Sequence, residues 1–214
     1  MYRFIFFGPP GVGKGSQAGL LAQKLGIPHI STGEMLRSVA ASDSPLSETV
    51  KQYLETGALV PDELITQLIL DRLKQPDAKK GFILDGYPRT IAQAESLKEA
   101  KIEIDKVFYF TAPDEILIKR IIGRLTCPSC GSVFNVHFDP PPFENTCHCG
   151  CKLTKRADDT IVVISERLRQ YATKTAPLIE YYRNNNLLVE IDSTLAIEEV
   201  FKAVLSAIGE SKGN

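Results

Sequence analysis

No stretch of this 214-residue sequence approaches the run of about 20 apolar residues that a helix needs to cross a bilayer. The opening Met1-Tyr-Arg-Phe-Ile-Phe-Phe7 is apolar but too short for the core of a signal peptide. It runs into Gly8-Pro9-Pro10 with no small-residue cleavage site, so it reads as a buried first strand. An excess of either charge is also missing. Lys and Arg total 25 against 26 Asp and Glu, a formal net charge of −1. That balance offers no bulk field for nucleic acid or an anionic membrane. A disulfide framework is a poor fit as well, because the five cysteines are odd in number and all lie between Cys127 and Cys151. Such clustering suits a local metal site in a reducing compartment, and the expectation is a cytoplasmic protein. There is no internal repeat and no low-complexity segment.

What is present is an ordinary globular balance, 43% hydrophobic and 24% charged, in a chain long enough to bury a sizeable core without covalent staples. Apolar runs predict strands at 3–7, 29–30, 81–84, 106–110 and 187–191. Between them, helical patterns occupy 16–25, 62–73, 91–100, 114–125, 161–184 and 196–208. The alternation predicts an α/β fold with a parallel sheet covered on both faces. Two stretches break it. One, after Ser31, holds two short helical patterns, 34–41 and 46–55; the other holds the cysteines and three consecutive prolines, Pro140 to Pro142. Residues 1–30, 61–122 and 161–214 are therefore assigned to a core, with insertions at 31–60 and 123–160. The polar tail 209–214 is expected to fray.

One motif sits between the first strand and the first helix: Gly8-Pro-Pro-Gly-Val-Gly-Lys14-Gly-Ser16. Glycines let backbone N–H groups turn inward around phosphate oxygens, and the following helix adds its positive end. Lys14 supplies a charge for the β- and γ-phosphates of a nucleoside triphosphate. Ser or Thr usually follows the lysine of such a loop; here Gly15 intervenes before Ser16.

That departure resembles the Gly-Lys-Gly-[Ser/Thr]-Gln of adenylate kinases, here Gly13-Lys14-Gly15-Ser16-Gln17. The similarity continues through Ile30-Ser-Thr-Gly-Glu-Met-Leu-Arg37, Gly57-Ala-Leu-Val-Pro-Asp62, Leu84-Asp-Gly-Tyr-Pro-Arg89 with Gln93, Arg120-Ile-Ile-Gly-Arg124 and Arg156-Ala-Asp-Asp159. Arg167 and Thr175-Ala-Pro-Leu178 follow in register. The resemblance implies a phosphate-loop fold with a five-stranded parallel sheet, an AMP-binding insertion at 31–60 and a lid at 123–160. It implies the reaction ATP + AMP = 2 ADP, with Mg2+ carried by ATP, in a monomer. ATP is placed on Gly11, Val12, Gly13, Lys14, Gly15 and Ser16, with Arg120, Arg124, Val133, Phe134 and Leu195 around it. AMP is placed at Thr32, Arg37, Ala58, Leu59, Val60, Gly86, Tyr87, Pro88, Arg89 and Gln93, with Arg156 and Arg167. Thr32 and Gln93 are to face its adenine, and the Arg120 guanidinium is to carry the adenine of ATP.

The residue types suit that chemistry. Phosphoryl transfer needs alignment and charge cancellation more than covalent help. Arginine is always charged, and its fork matches phosphate oxygens. Lys14, Arg89, Arg124, Arg156 and Arg167 are the expected catalytic group. Asp85, after an apolar strand, is placed to hold magnesium through water together with Ser16, or else to cap a turn. Asp158 and Asp159 resemble residues that position a closed lid, or are surface-turn residues. Glu34, Tyr87 and Leu195 depart from the residues common in the family.

Cys127-Pro-Ser-Cys130-Gly has the spacing of a zinc knuckle, and Cys147-His-Cys149-Gly-Cys151 follows. Many adenylate kinases carry a four-ligand zinc site in the lid. Alignment back from Leu153 and Arg156 selects Cys127, Cys130, Cys147 and Cys149, with Cys151 as the alternative fourth ligand and His148 as a weaker one. A kinase for another nucleoside monophosphate would share the loop and the arginines. A regulatory GTPase would carry Asn-Lys-x-Asp, which is absent. A zinc ribbon for nucleic acid would carry a dense basic stripe with exposed aromatics, also absent from this segment.

Overall fold

The computed structural model describes residues 1–209. The tail 210–214, most of the segment expected to fray, lies outside the described residues. In chain order the elements are β1 (Tyr2–Phe7), α1 (Lys14–Leu25), β2 (His29–Ser31), α2 (Thr32–Ala40), α3 (Ser47–Thr56), α4 (Asp62–Leu73), β3 (Gly81–Asp85), α5 (Ile91–Glu99) and β4 (Lys106–Thr111). They continue with α6 (Asp114–Ile122), β5 (Arg124–Thr126), β6 (Val133–Asn135), α7 (Ile161–Gln170), α8 (Leu178–Asn184), β7 (Leu188–Asp192) and α9 (Ile197–Ala207).

Five strands form one sheet in the order β2-β3-β1-β4-β7, and every pair in it is parallel. The five-stranded parallel sheet read from the sequence is thus found. Period-two alternation divides its core. Phe4 and Phe6 pack with Phe108 and Phe110 under α1 and α9, while Ile5 and Phe7 pack with Leu84, Val107 and Leu97 on the other face. The aromatic rings meet at centroid separations of 5.4 Å for Phe4–Phe108 and 4.9 Å for Phe6–Phe110. Each such fully buried ring stabilises the sheet by roughly 1.5–3 kcal/mol. With β1 in the centre, the loop that leaves its C-terminal end lies where ligands of open α/β sheets bind.

Two predicted helices end differently. The pattern at 114–125 is helical only to Ile122; Arg124–Thr126 turns into β5, which pairs antiparallel with β6. Gly123 permits this, because a Cβ there would meet Asn135 Oδ1 at 2.9 Å and His137 Cδ2 at 2.8 Å. The Asn135 side chain then donates to the Arg120 carbonyl at 2.7 Å, satisfying one of the last carbonyls of α6. The pattern at 161–184 is one amphipathic run in sequence but two helices in space. Between α7 and α8 the turn Tyr171–Thr175 widens to π geometry, and Ala176 N donates to the Tyr171 carbonyl at 2.8 Å. Pro177 has no N–H to continue an α-helical ladder, which forces the break. The other expected helices and the five expected strands are found to within two residues at each end, while β6 had no counterpart in the sequence reading.

The first insertion is the pair α2 and α3, closed by Gly57 in a left-handed turn at φ 76°. A Cβ on Gly57 would stand 2.9 Å from the Val163 carbonyl oxygen of α7. The second insertion has its own small core of Leu125, Cys127, Phe134, Cys147 and Leu153. A hydrophobic cluster that small cannot hold a segment of this length by burial alone.

Candidate active site

A cleft of about 790 Å³ opens at the C-terminal ends of β1, β2 and β3, between the two insertions. Its floor is the glycine loop. Gly8 adopts φ 145°, and a Cβ there would fall 2.4 Å from the Phe110 carbonyl oxygen. Gly11, at φ 83°, is pressed as closely, 2.7 Å, against the Leu117 carbonyl. Both conformations and both clearances demand glycine. Lys14 opens α1, and its Nζ donates to the carbonyls of Gly8 and Pro9, each at 2.9 Å. Burial is the main cause that pushes its ammonium down to about 8; the neighbouring Asp85 charge opposes the shift, and Arg89 and Arg124 add to it. Gly15 also gains an explanation: its Cβ would lie 3.4 Å from Asp85 Oδ2, so any longer side chain would press on that carboxylate. Ser16 is exposed on the first turn of α1.

Asp85 ends β3 with its side chain 13% exposed. Its Oδ2 lies 3.2 Å from Nε2 of His29, at the end of neighbouring β2. Burial works to raise the carboxyl, but the His29 hydrogen bond and the charges of Lys14, His29 and Arg89 outweigh it and hold it below the usual range. On His29 burial acts downward, and the Asp85 hydrogen bond and charge reverse the sign and raise it. Sequence reading missed His29, whose only signal is its place on a strand beside Asp85.

Above the floor, Arg37, Arg89, Arg124, Arg156 and Arg167 all line the cleft. Two carboxylates partly neutralise them. Arg124 Nε donates to Asp159 Oδ2 at 2.8 Å, with a second bond from its Nη2 to Oδ1. Arg167 pairs with Asp158, and its Nη1 approaches Asp159 Oδ1 at 3.7 Å. Arg37 Nη1 stands 4.0 Å from Asp158 Oδ2. Arg89 is held by the Gly86 carbonyl, 2.7 Å from its Nε, and Arg156 Nε donates to Thr126 Oγ1 at 3.2 Å. Arg156 is pushed down to about 10, by burial first and then by the charges of Arg124 and Arg37. With Lys14 and Arg120, seven cations line this cleft, against Glu34, Asp85 and Asp139 in the lining and the paired Asp158 and Asp159. An anion with several oxygens is what such a surplus attracts.

The remaining predicted residues divide. Thr32, Ala58, Leu59, Val60, Gly86, Pro88 and Gln93 line the same cleft, as do Val12, Val133, Phe134 and Leu195. The Thr32 hydroxyl donates toward the Gly86 carbonyl at 3.0 Å. Tyr87 differs from expectation. Its ring turns into the core, 1% exposed, and its hydroxyl meets Thr66 Oγ1 at 2.9 Å and the Gln93 carbonyl at 3.3 Å. Arg120 is braced by the carbonyls of Val12 (3.3 Å) and Ser193 (2.7 Å). The Phe138 ring lies over its guanidinium, 5.2 Å from the centroid, a contact that no sequence signal pointed to.

In the second insertion the sulfurs of Cys127, Cys130, Cys147 and Cys149 lie within 4.8 Å of one another. Two pairs, Cys127–Cys149 and Cys130–Cys147, are 3.5 Å apart. Four thiolates around a tetrahedral zinc at about 2.3 Å stand roughly 3.8 Å apart, so the donor set fits that metal. Cys151 is not in the group; its carbonyl accepts from Cys147 N at 2.9 Å.

Known proteins give the same outline. The sequence model of the family described as adenylate kinase matches residues 6–187. The adenylate kinase of Archaeoglobus fulgidus is 46% identical, covering 98% of this chain and 99% of that protein. The adenylate kinase of Clostridium beijerinckii is 42% identical over 98% of this chain and its own full length, and that of Carboxydothermus hydrogenoformans is 44% identical over 96% and 99%. Matches of this identity over nearly the whole chain, on a parallel sheet whose central strand leads into a lysine-bearing glycine loop, place the chain in the adenylate kinase family.

Proposed function

We propose that the cleft transfers the γ-phosphoryl group of Mg-ATP to AMP, giving two ADP, and runs in both directions. One observation carries the reading: seven cations, drawn from well-separated parts of the chain, converge on a single cleft whose floor is a lysine-bearing glycine loop. ATP lies on Gly11–Ser16 with its base beside Arg120 and Leu195. AMP lies against Thr32, Arg37, Gly86, Arg89 and Gln93. An α-phosphate oxygen of AMP attacks the γ-phosphorus of ATP; the bond from that phosphorus to the β-bridging oxygen breaks, and ADP departs. No proton need move, because the attacking oxygen is already anionic. Lys14 and Arg89 align the two phosphate chains, and Arg124, Arg156 and Arg167 balance the charge on the moving group. Asp85 and Ser16 would hold, through water, the magnesium that accompanies ATP, which would supply positive charge beside the triphosphate. Residues 31–60 and 123–160 close over a core made of the rest, and closure excludes water as a competing acceptor.

The cysteine cluster supports a structural zinc held by Cys127, Cys130, Cys147 and Cys149, which replaces the core that the lid lacks. The absence of a charge excess and of a long apolar helix among the described residues is compatible with a cytoplasmic monomer. A coupled assay of ADP formation tests the reading with AMP, UMP, CMP and GMP as acceptors. AMP is to be used fastest; faster use of any other acceptor overturns it. Metal analysis of the purified protein is to find about one zinc per chain.

A further inference from the structure

Gln93 lines the cleft from α5 with its side chain otherwise buried, 2% exposed. Both ends of its amide are already engaged. Nε2 donates to Asp62 Oδ1 at 2.6 Å, and Oε1 accepts from the Arg89 backbone N–H at 2.7 Å. Asp62, the first residue of α4, is itself fixed: its Oδ2 accepts from the Thr90 hydroxyl at 2.7 Å, and that hydroxyl caps α5 by accepting from Gln93 N. A carboxylate only accepts and a backbone N–H only donates. Turning the amide over would set oxygen against oxygen at Asp62 and N–H against N–H at Arg89. The amide is therefore locked, and the N–H and lone pair it has left are presented in one order only.

That order matters to a purine. Adenine offers an acceptor at N1 beside a donor at N6; a 6-oxopurine offers a donor at N1 beside an acceptor at O6. A locked amide matches the first pattern, and the same amide turned over matches the second. We propose that Asp62, which does not itself line the cleft, is a positioning residue that sets the discrimination between adenine and 6-oxopurine acceptors by holding Gln93 in one orientation. The inference rests on the reading of Gln93 as the residue facing the acceptor base. Tyr87 fixes the backbone beneath, its hydroxyl donating to the Gln93 main-chain carbonyl at 3.3 Å.

IMP is the clean probe, because it differs from AMP only at these two positions. The experiment compares kcat/KM for AMP and IMP in the wild type, Asp62→Asn, Gln93→Leu and the double variant, with KM for ATP measured alongside. Asparagine can offer its own N–H to Gln93, so Asp62→Asn releases one side of the lock. It is to narrow the AMP-to-IMP ratio by about tenfold or more, while KM for ATP stays within about twofold. Gln93→Leu is to narrow the ratio as well, and Asp62→Asn is to add nothing to it in the Gln93→Leu background. Equal losses on AMP and IMP in Asp62→Asn, or an unchanged ratio, overturn the inference while a narrowed ratio in Gln93→Leu leaves the base-facing reading intact. An unchanged ratio in Gln93→Leu removes that reading and the inference with it. Should Asp62→Asn fail to fold, Asp62→Ser, which keeps a helix-initiating side chain, carries the same comparison.

Discussion

Lys14 Nζ and the Gly8 carbonyl oxygen are hydrogen-bonded at 2.9 Å, so the cation of the loop is held by the loop's own first residue. The bond does not offset the cost of burying the ammonium, which stands at about 8 against an ordinary value of 10.5. A folded value below the unfolded one means that between about pH 8 and 10 the unfolded chain holds more protons. Stability therefore rises with pH across that window, and below it the full penalty, on the order of 3 kcal/mol, weighs on the fold.

Lys14→Met is accordingly expected to raise stability at neutral pH by about 1–3 kcal/mol, since two carbonyls lose their donor while the desolvated charge disappears. It is expected to lower phosphoryl transfer by at least about a hundredfold. Urea unfolding of both proteins at pH 7 and pH 10 checks the first expectation. A wild-type advantage at pH 7 would contradict it.

Gly8→Ala is expected to be severe for a reason unrelated to ligand chemistry. The new Cβ would fall 2.4 Å from the Phe110 carbonyl of the adjacent strand, on a backbone at φ 145°. The loss is expected to exceed about 3 kcal/mol, or to prevent folding. Gly13→Ala meets no neighbouring atom and carries only the backbone strain of φ 97°, so its thermal unfolding is expected to fall much closer to wild type.

The salt link of Asp158 with Arg167 and Arg37 titrates with acid. Burial acts to raise the Asp158 carboxyl, but Arg167 above all, and Arg37 after it, hold it below its ordinary value of 3.8. A depressed carboxylate contributes stability that is present above the unfolded value of about 3.9 and lost as pH falls through the folded one. Asp158→Asn is expected to cost about 1–3 kcal/mol at pH 7. The gap to wild type is to close as pH drops below about 4, followed by acid unfolding monitored side by side.

Metal removal is expected to act on the second insertion. Chelation should lower the melting temperature more than it lowers turnover in cool, metal-replete magnesium buffer. Cys149→Ser is expected to lose about one zinc per chain, and Cys151→Ser to retain it, as measured by metal analysis. Equal and immediate loss of stability and turnover on chelation would contradict a structural metal.

Tyr87→Phe removes one hydroxyl from the core, where it meets Thr66 and the Gln93 carbonyl. The expected cost is about 1 kcal/mol in chemical denaturation.

The sheet was legible in sequence because β1, β3 and β4 are short continuous apolar runs, as strands buried on both faces must be. The phosphate loop was legible because its glycines answer local backbone demands, at φ 145° for Gly8 and 83° for Gly11. What escaped notice depends on partners distant in the chain. Leu125 continues the apolar period of α6, and only pairing with Phe134 makes it a strand residue. Phe138 over Arg120 and His29 against Asp85 are meetings that no spacing encodes. Tyr87 sits within a segment expected to contact AMP, yet its ring is spent on the core, since a motif reports backbone path and not where each side chain turns.

The turn after α3 lies hard against α7: a Cβ on Gly57 would meet the Val163 carbonyl oxygen at 2.9 Å and the Val163 Cγ1 at 3.1 Å, so no side chain fits at position 57. The turn that closes the first insertion is therefore seated directly on α7, the helix that begins just after the second. A bulky residue at 57 would act as a wedge between that turn and α7. The demand for glycine at that position comes from the seating of one segment of the chain on another.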